Sequence, residues 1–199
     1  MKKFFLLLLT AVILSSCFSS DGDSFEMGMP SNPPVDIPVE ECLYCIPEGA
    51  IFACQEIIEA MDFLNDTVRG EVGVPPLEWD CQLAQKAQEW AEYLAQKGLL
   101  QHEGDSTYGE NIYIIGGFIP TLKDAIEAWY AEKEFFQYGL SQWCIGDKEC
   151  RHYTQLIWRD TTSIGCGIAR YPQKYMGMYE YVIVCKFYPP GNIIGEQPY

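Results

Sequence analysis

Apolar positions return at helical spacing early in the chain and at strand spacing late in it. Between Ile46 and Arg69, the residues Ile51, Ile57, Ile58, Met61, Leu64 and Val68 recur every three or four positions, predicting a first helix over the second half of this stretch that stops at Gly70. After the turn "GVPPLEWD", Asp80 is placed to cap a second helix. Leu83, Ala87, Trp90, Ala91 and Leu94 share its buried face, and Gly98 closes it. A third helix starts after Pro120, where Thr121 and Asp124 form a capping-box-like pair, and it buries Leu122, Ala125, Ile126 and Trp129. "RHYTQLIW" has the length of a short fourth. Two β-rich runs follow, "GCGIARY" at 165–171 and "MYEYVIVCKFY" at 178–188, the second dense in β-branched and aromatic residues. Helices first and antiparallel strands last imply a layered α+β domain.

The 199 residues suffice for one well-buried core plus appendages. The first seventeen, "MKKFFLLLLTAVILSSC", have two lysines, an apolar stretch from Phe4 to Leu14 and then small serines, the pattern of an export signal over residues 1–16. The apolar stretch is shorter than the roughly 20 residues a permanent span needs. "LSSC" has the form of a bacterial lipobox, which makes Cys17 the lipidated first residue of the mature protein and places it on the bacterial cell envelope. Cleavage near Ser16 or Ser20 without lipidation would instead release a secreted protein. Residues 17–48 are acidic and proline-rich, a tether between anchor and folded domain, and residues 49–199 form that domain.

A net charge of −15 without any Lys/Arg cluster excludes a nucleic-acid partner and repels an anionic bilayer, so a membrane is met only through the anchor. Nine cysteines point to an oxidising, extracytoplasmic compartment. Cys42, Cys45, Cys54, Cys81, Cys166 and Cys185 allow fifteen pairings. "CLYC" at 42–45 is followed by Pro47 and preceded by no strand, which favours stapling of the N-terminus over a redox or zinc pair. The chain has only two histidines, His102 and His152, each in a polar or aromatic stretch near an acid. Such a pair suggests a metal or proton-transfer site. The alternative is that imidazoles and carboxylates hydrogen-bond one another and pin loops to helices.

"GENIY" (109–113), "RHYTQLIWRDT" (151–161) and "VIVCKFYPPGNIIGEQPY" (182–199), with "GVPPLEWD" and "AWYAE" in the same order and spacing, resemble the signature blocks of the CAP superfamily of cysteine-rich secretory proteins, venom antigens and plant pathogenesis-related class 1 proteins. The resemblance covers roughly residues 55–199. It implies a three-layer α-β-α sandwich around a central antiparallel sheet. It also implies a cleft whose histidines and glutamates match His102, Glu110, Glu132 and His152, with Zn²⁺ or another divalent metal as the possible cofactor and Tyr153 and Trp158 as cleft wall. Cys144 and Cys150 match a local bridge of plant members, whereas the usual partners of Cys166 and Cys185 are absent. The chain also departs from the family pattern at Leu64, where many members have histidine, and at Lys186 and Phe187, where a polar residue and a tyrosine are usual. The last residues resemble the C-terminal peptide of plant members, and their glycines and prolines are expected to wrap the domain and cover a sheet edge.

No motif fixes a nucleophile beside either histidine, which favours a non-enzymatic module that binds a small apolar ligand, a lipid or sterol, or a partner peptide. The alternative is a metal-assisted hydrolase of peptides or envelope polymers, with Glu110 or Glu132 as the base that activates a metal-bound water.

Overall fold

The computed structural model describes residues 42–140 and 142–199; the export signal, Cys17 and most of the tether lie outside them. Among the described residues no helix is long and apolar enough to cross a membrane. The first helix is α1 (Cys54–Asp62), continued by a π-helical stretch, Phe63–Arg69, and by α2 (Gly70–Val72). It therefore passes Gly70, which keeps helical dihedrals, and ends at Gly73, whose φ of 70° is the left-handed conformation a helix terminus uses. Strand β1 is only Glu78–Trp79. Helix α3 (Cys81–Lys97) is capped by the Asp80 carboxylate, which accepts from the N–H groups of Gln82 and Leu83, and ends at Gly98 in the left-handed region. Strand β2 (Gly109–Gly116), helix α4 (Leu122–Ala131, with the Thr121–Asp124 box formed) and helix α5 (Arg151–Leu156) follow. The chain closes with β3 (Ser163–Tyr175) and β4 (Met178–Tyr188).

The sheet order is β1-β3-β4-β2, antiparallel except for the short parallel pairing of β1 with β3. Side chains alternate across it and sort the core into two layers. Ile164, Cys166 and Ile168 of β3 and Ile183, Cys185 and Phe187 of β4 pack with α1, α4 and α5. Ala169, Tyr171, Val182 and Val184 pack under α3. Helices on both faces of one sheet make the expected α-β-α sandwich. Gly165 and Gly167 explain how closely α3 lies on β3, because a Cβ on either would overlap helix backbone, at Leu83–Ala84 and at Ala87–Gln88. Gln88 then serves the strand directly: its Oε1 accepts from Ile168 N–H at 2.8 Å and its Nε2 donates to Ile168 C=O at 3.0 Å. That pair satisfies a backbone position beyond the reach of two-residue β1.

Among the described residues there are four disulfides. Cys42–Cys54 and Cys45–Cys81 fasten the N-terminal segment to the starts of α1 and α3, so the folded unit takes in residues before 49. Cys166 and Cys185 stand directly opposite in the β3–β4 register and bond to each other, which resolves their missing family partners. Cys144–Cys150 closes the loop ahead of α5. The C-terminal segment wraps α5 and the preceding loop rather than a sheet edge: Pro198 C=O accepts from Arg159 N–H, Glu196 C=O from the Trp143 indole, and Gln155 Oε1 from Gly191 N–H.

Candidate functional site

Glu110, the second residue of β2, stands across from Lys186 of β4. Alternation puts this pair on the α3 face, in line with Val182 and Val184, while Asn111 faces the other layer. The loop from α3 to β2 brings His102 and Glu103 over the pair. Glu110 Oε1 is 2.6 Å from His102 Nδ1 and accepts from Glu103 N–H at 3.2 Å; Oε2 accepts from Lys186 Nζ at 3.1 Å. The same ammonium donates to Glu103 Oε2 at 2.5 Å, and its side chain is 1% exposed. Burial pushes the Glu110 carboxyl up, but the bonds from His102 and the charge of Lys186 outweigh it and hold the group below its ordinary value. Glu110 in turn raises the pKa of His102, although that side chain is 62% exposed.

The second pair joins α4 to α5. Glu132, just past the end of α4, sets Oε1 2.7 Å from His152 Nδ1, and its Oε2 accepts from the N–H groups of His152 and Tyr153 at 3.2 and 3.3 Å. Cys150 gives α5 no side-chain cap, so Glu132 supplies the negative charge that the first-turn amides attract. The His152 ring stacks on Trp129, and Asn111 Nδ2 of β2 donates to His152 C=O at 3.1 Å. Beside it, Arg151 bonds both carboxylate oxygens of Glu149 and holds that carboxyl down at about 2.

The four histidine and glutamate residues thus form two His–Glu pairs, one built on β2 through Glu110 and the other touching β2 through the His152 carbonyl, with Arg151 within electrostatic reach of both. Among the described residues, no three His, Cys, Asp or Glu side chains converge as a group that could hold a metal ion. Each Nδ1 is taken by a carboxylate, which leaves Nε2 of each ring as the donor for any further partner, and Glu110 already faces an ammonium. Tyr153 and Trp158 are 4% and 3% exposed and belong to the core: Tyr153 packs on Tyr130 and Phe136, and Trp158 meets Trp143 edge to face. Both were expected as cleft wall; Tyr153, on the inward side of α5, and Trp158, just beyond the helix, are buried instead. Lys186 entered the sequence reading only as a departure from the family pattern. Its signal was there, a lysine in phase with Val182 and Val184, which a buried strand face admits only beside an acid.

A concavity of about 510 Å³ lies away from both pairs, between the end of α3, Ile114 of β2 and the β3–β4 hairpin. Its lining is mixed, with Leu99, Leu100, Ile114, Tyr171 and Tyr175 as the large apolar members and Gln96, Lys97, Gln173, Lys174 and Glu180 as the polar ones.

A family model described as "CAP: Cysteine-rich secretory protein family" matches residues 63–187. The chain belongs to the CAP family. Among its relatives, pathogenesis-related leaf protein 6 of Solanum lycopersicum is 38% identical over 160 residues, which is 79% of this chain and 94% of that protein. Pathogenesis-related protein 1C of Nicotiana tabacum is 38% identical over 149 residues, covering 74% and 84% of the two chains. Of solved structures, BmVAL-1 superposes with a TM-score of 0.60 at 22% identity over 77% of this chain and 85% of its own, a likeness of fold.

Proposed function

We propose that this chain is an extracytoplasmic binding module, not an enzyme, and that it holds a small apolar ligand, a lipid or sterol, or an apolar stretch of a partner peptide. The observation that carries the reading is the groove of about 510 Å³, a volume within the range of small-molecule sites, with apolar residues along its wall. Metal-assisted hydrolysis is the weaker reading. It needs a carboxylate free to take a proton from a metal-bound water, and Glu110 and Glu132 are each committed to an imidazole. The four disulfides suit an oxidising compartment. We place the protein on a bacterial envelope through a lipid on Cys17, a step that the mass of the mature N-terminus decides.

Titration of the folded domain with a fluorescent long-chain fatty acid and a fluorescent sterol tests the binding reading. Saturable emission change is expected for at least one probe, lost in Leu100→Asp and Ile114→Asp and kept in His102→Ala. No change with either probe, or a change indifferent to both aspartates, overturns it.

A further inference from the structure

We infer that Lys186 is the resident cation of the His102 half of this site, standing where a divalent ion would otherwise bridge Glu103 and Glu110. The sequence suggests that two imidazoles and two acids share a metal; at Glu110 the arrangement of this chain's own residues argues otherwise.

Three observations combine. First, the position is enforced by the sheet, since Lys186 is the register partner of Glu110 and has Val184 before it on the same face. Its ammonium is therefore delivered to the carboxylate by backbone pairing, not by a mobile surface side chain. Second, the ammonium is nearly inaccessible to solvent, and its two carboxylate partners, Glu103 Oε2 and Glu110 Oε2, lie at 2.5 and 3.1 Å. An ion seeking those oxygens would meet a positive charge already seated between them, and the like-charge repulsion is strong in a poorly hydrated position. Third, the remaining oxygen of Glu110 is occupied by His102 Nδ1 and Glu103 N–H. Oε1 thus has both of its lone pairs engaged, and Oε2 faces the ammonium. The Tyr108 ring, with its centroid 5.8 Å from Lys186 Nζ, lends the ammonium further support.

Lysine here does structurally what a bound metal does in other proteins. It neutralises two acids and ties the α3–β2 loop to the sheet, and it does so permanently, at any metal concentration. Removing the charge while keeping the volume should release the acids for a cation.

The test is calorimetric titration of Zn²⁺ and of Mn²⁺ into the folded domain, with melting temperature recorded in parallel. Wild type is expected to show no one-to-one uptake that depends on Glu110. Lys186→Met should gain one-to-one binding of one of these ions, at least about tenfold tighter than wild type, with a rise in melting temperature on ion addition. Adding Glu103→Gln to Lys186→Met should abolish the gain. If Lys186→Met does not fold, Lys186→Gln, which keeps a donor for Glu110, takes its place with the same expectation. Wild-type uptake that disappears in Glu110→Gln overturns the inference, and so does a folded neutral variant that binds neither ion. Neither result bears on the apolar groove, whose probes report separately.

Discussion

Arg69 has no exposed surface and, among the described residues, no carboxylate partner, and its replacement tests whether carbonyl groups alone can sustain a buried charge. It ends the π-helical stretch and spreads its donors over four backbone carbonyls. Nε donates to Pro75 at 2.5 Å, Nη1 to Leu156 and Trp158 at 2.7 and 3.1 Å, and Nη2 to Thr161 at 3.2 Å. Leu156 closes α5 and Trp158 lies just beyond it, so the guanidinium sits where a helix terminus is negative. Desolvation of the charge pulls its pKa from 12.5 to about 10, which corresponds to a cost of about 3 kcal/mol.

Arg69→Met removes that cost and also the bonds. Trp158 C=O keeps the Thr161 N–H, but the carbonyls of Leu156 and Thr161 lose their donor in a buried site and that of Pro75 in a part-buried one. At about 2 kcal/mol for each of the two buried groups and about 1 kcal/mol for Pro75 the loss is about 5 kcal/mol, leaving a net destabilisation of about 2 kcal/mol. For a domain of this size that lowers the melting temperature by about 4–8 °C. Arg69→Lys keeps the charge with fewer, differently directed donors and should fall between the two. Urea unfolding followed by circular dichroism, with the disulfides intact, measures all three proteins. A methionine variant as stable as wild type would show that the carbonyls find other partners and that the guanidinium merely breaks even; a lysine variant less stable than the methionine one would mean that the charge itself is a liability.

Gly167→Ala should destabilise the domain by about 1–3 kcal/mol or prevent folding, because its methyl would enter the backbone of α3 at Gln88; denaturation of the purified variant checks this, and a neutral effect would mean that α3 can ride higher on the sheet. The His102–Glu110 pair should stabilise the fold in a defined pH window. With its pKa raised, His102 contributes in full below about 6.5 and loses the contribution as pH climbs through its folded value; with its pKa lowered, Glu110 contributes in full above about 4.5 and loses it as pH falls through its folded value. The stability gap between wild type and Glu110→Gln should therefore be widest between these limits and narrow on both sides, modestly because His102 is exposed; a gap flat from acid to alkaline pH contradicts the pairing.

Where the determinants were local, the sequence was a sufficient guide. Asp80 and Gly98 bound α3 because a carboxylate cap and a left-handed glycine act on their own neighbours, and Met178–Tyr188 is a strand along its whole predicted length. Gly70 misled for a complementary reason: a glycine permits a helix end without imposing one, and the chain turns only at Gly73. Strand β2 could not be recognised as one from "GENIY", whose polar opening residues are there for Lys186 and His152 rather than for a strand pattern. Disulfide partners depend on register, which local pattern does not contain; once Cys166 faces Cys185 the choice among fifteen pairings narrows at once. The same holds at Asn65. As part of an Asn-Asp-Thr triplet it has the form of a glycosylation acceptor, yet its amide is spent on both backbone groups of Leu77, donating at 3.0 Å and accepting at 2.8 Å.

The two histidines were legible in the sequence, but their partners could only come from the fold. On an edge strand, consecutive residues point into different layers, so Glu110 and Asn111 make different contacts. Glu110 holds His102 with the loop that follows α3, whereas Asn111 reaches the carbonyl of His152, whose ring is held by Glu132. The His102 imidazole thereby ties the α3–β2 loop to the strand, whereas α5 meets the same strand through the His152 carbonyl and the end of α4 through the ring. A carboxylate on Nδ1 fixes ring orientation and tautomer and leaves only Nε2 for any further partner. Two such pairs suffice to explain why the chain keeps these four side chains together with Lys186, even with no ion between them. The binding proposed for this domain rests instead on the groove from Leu99 and Leu100 to Ile114 and the β3–β4 hairpin, where Leu100 and Ile114 face solvent.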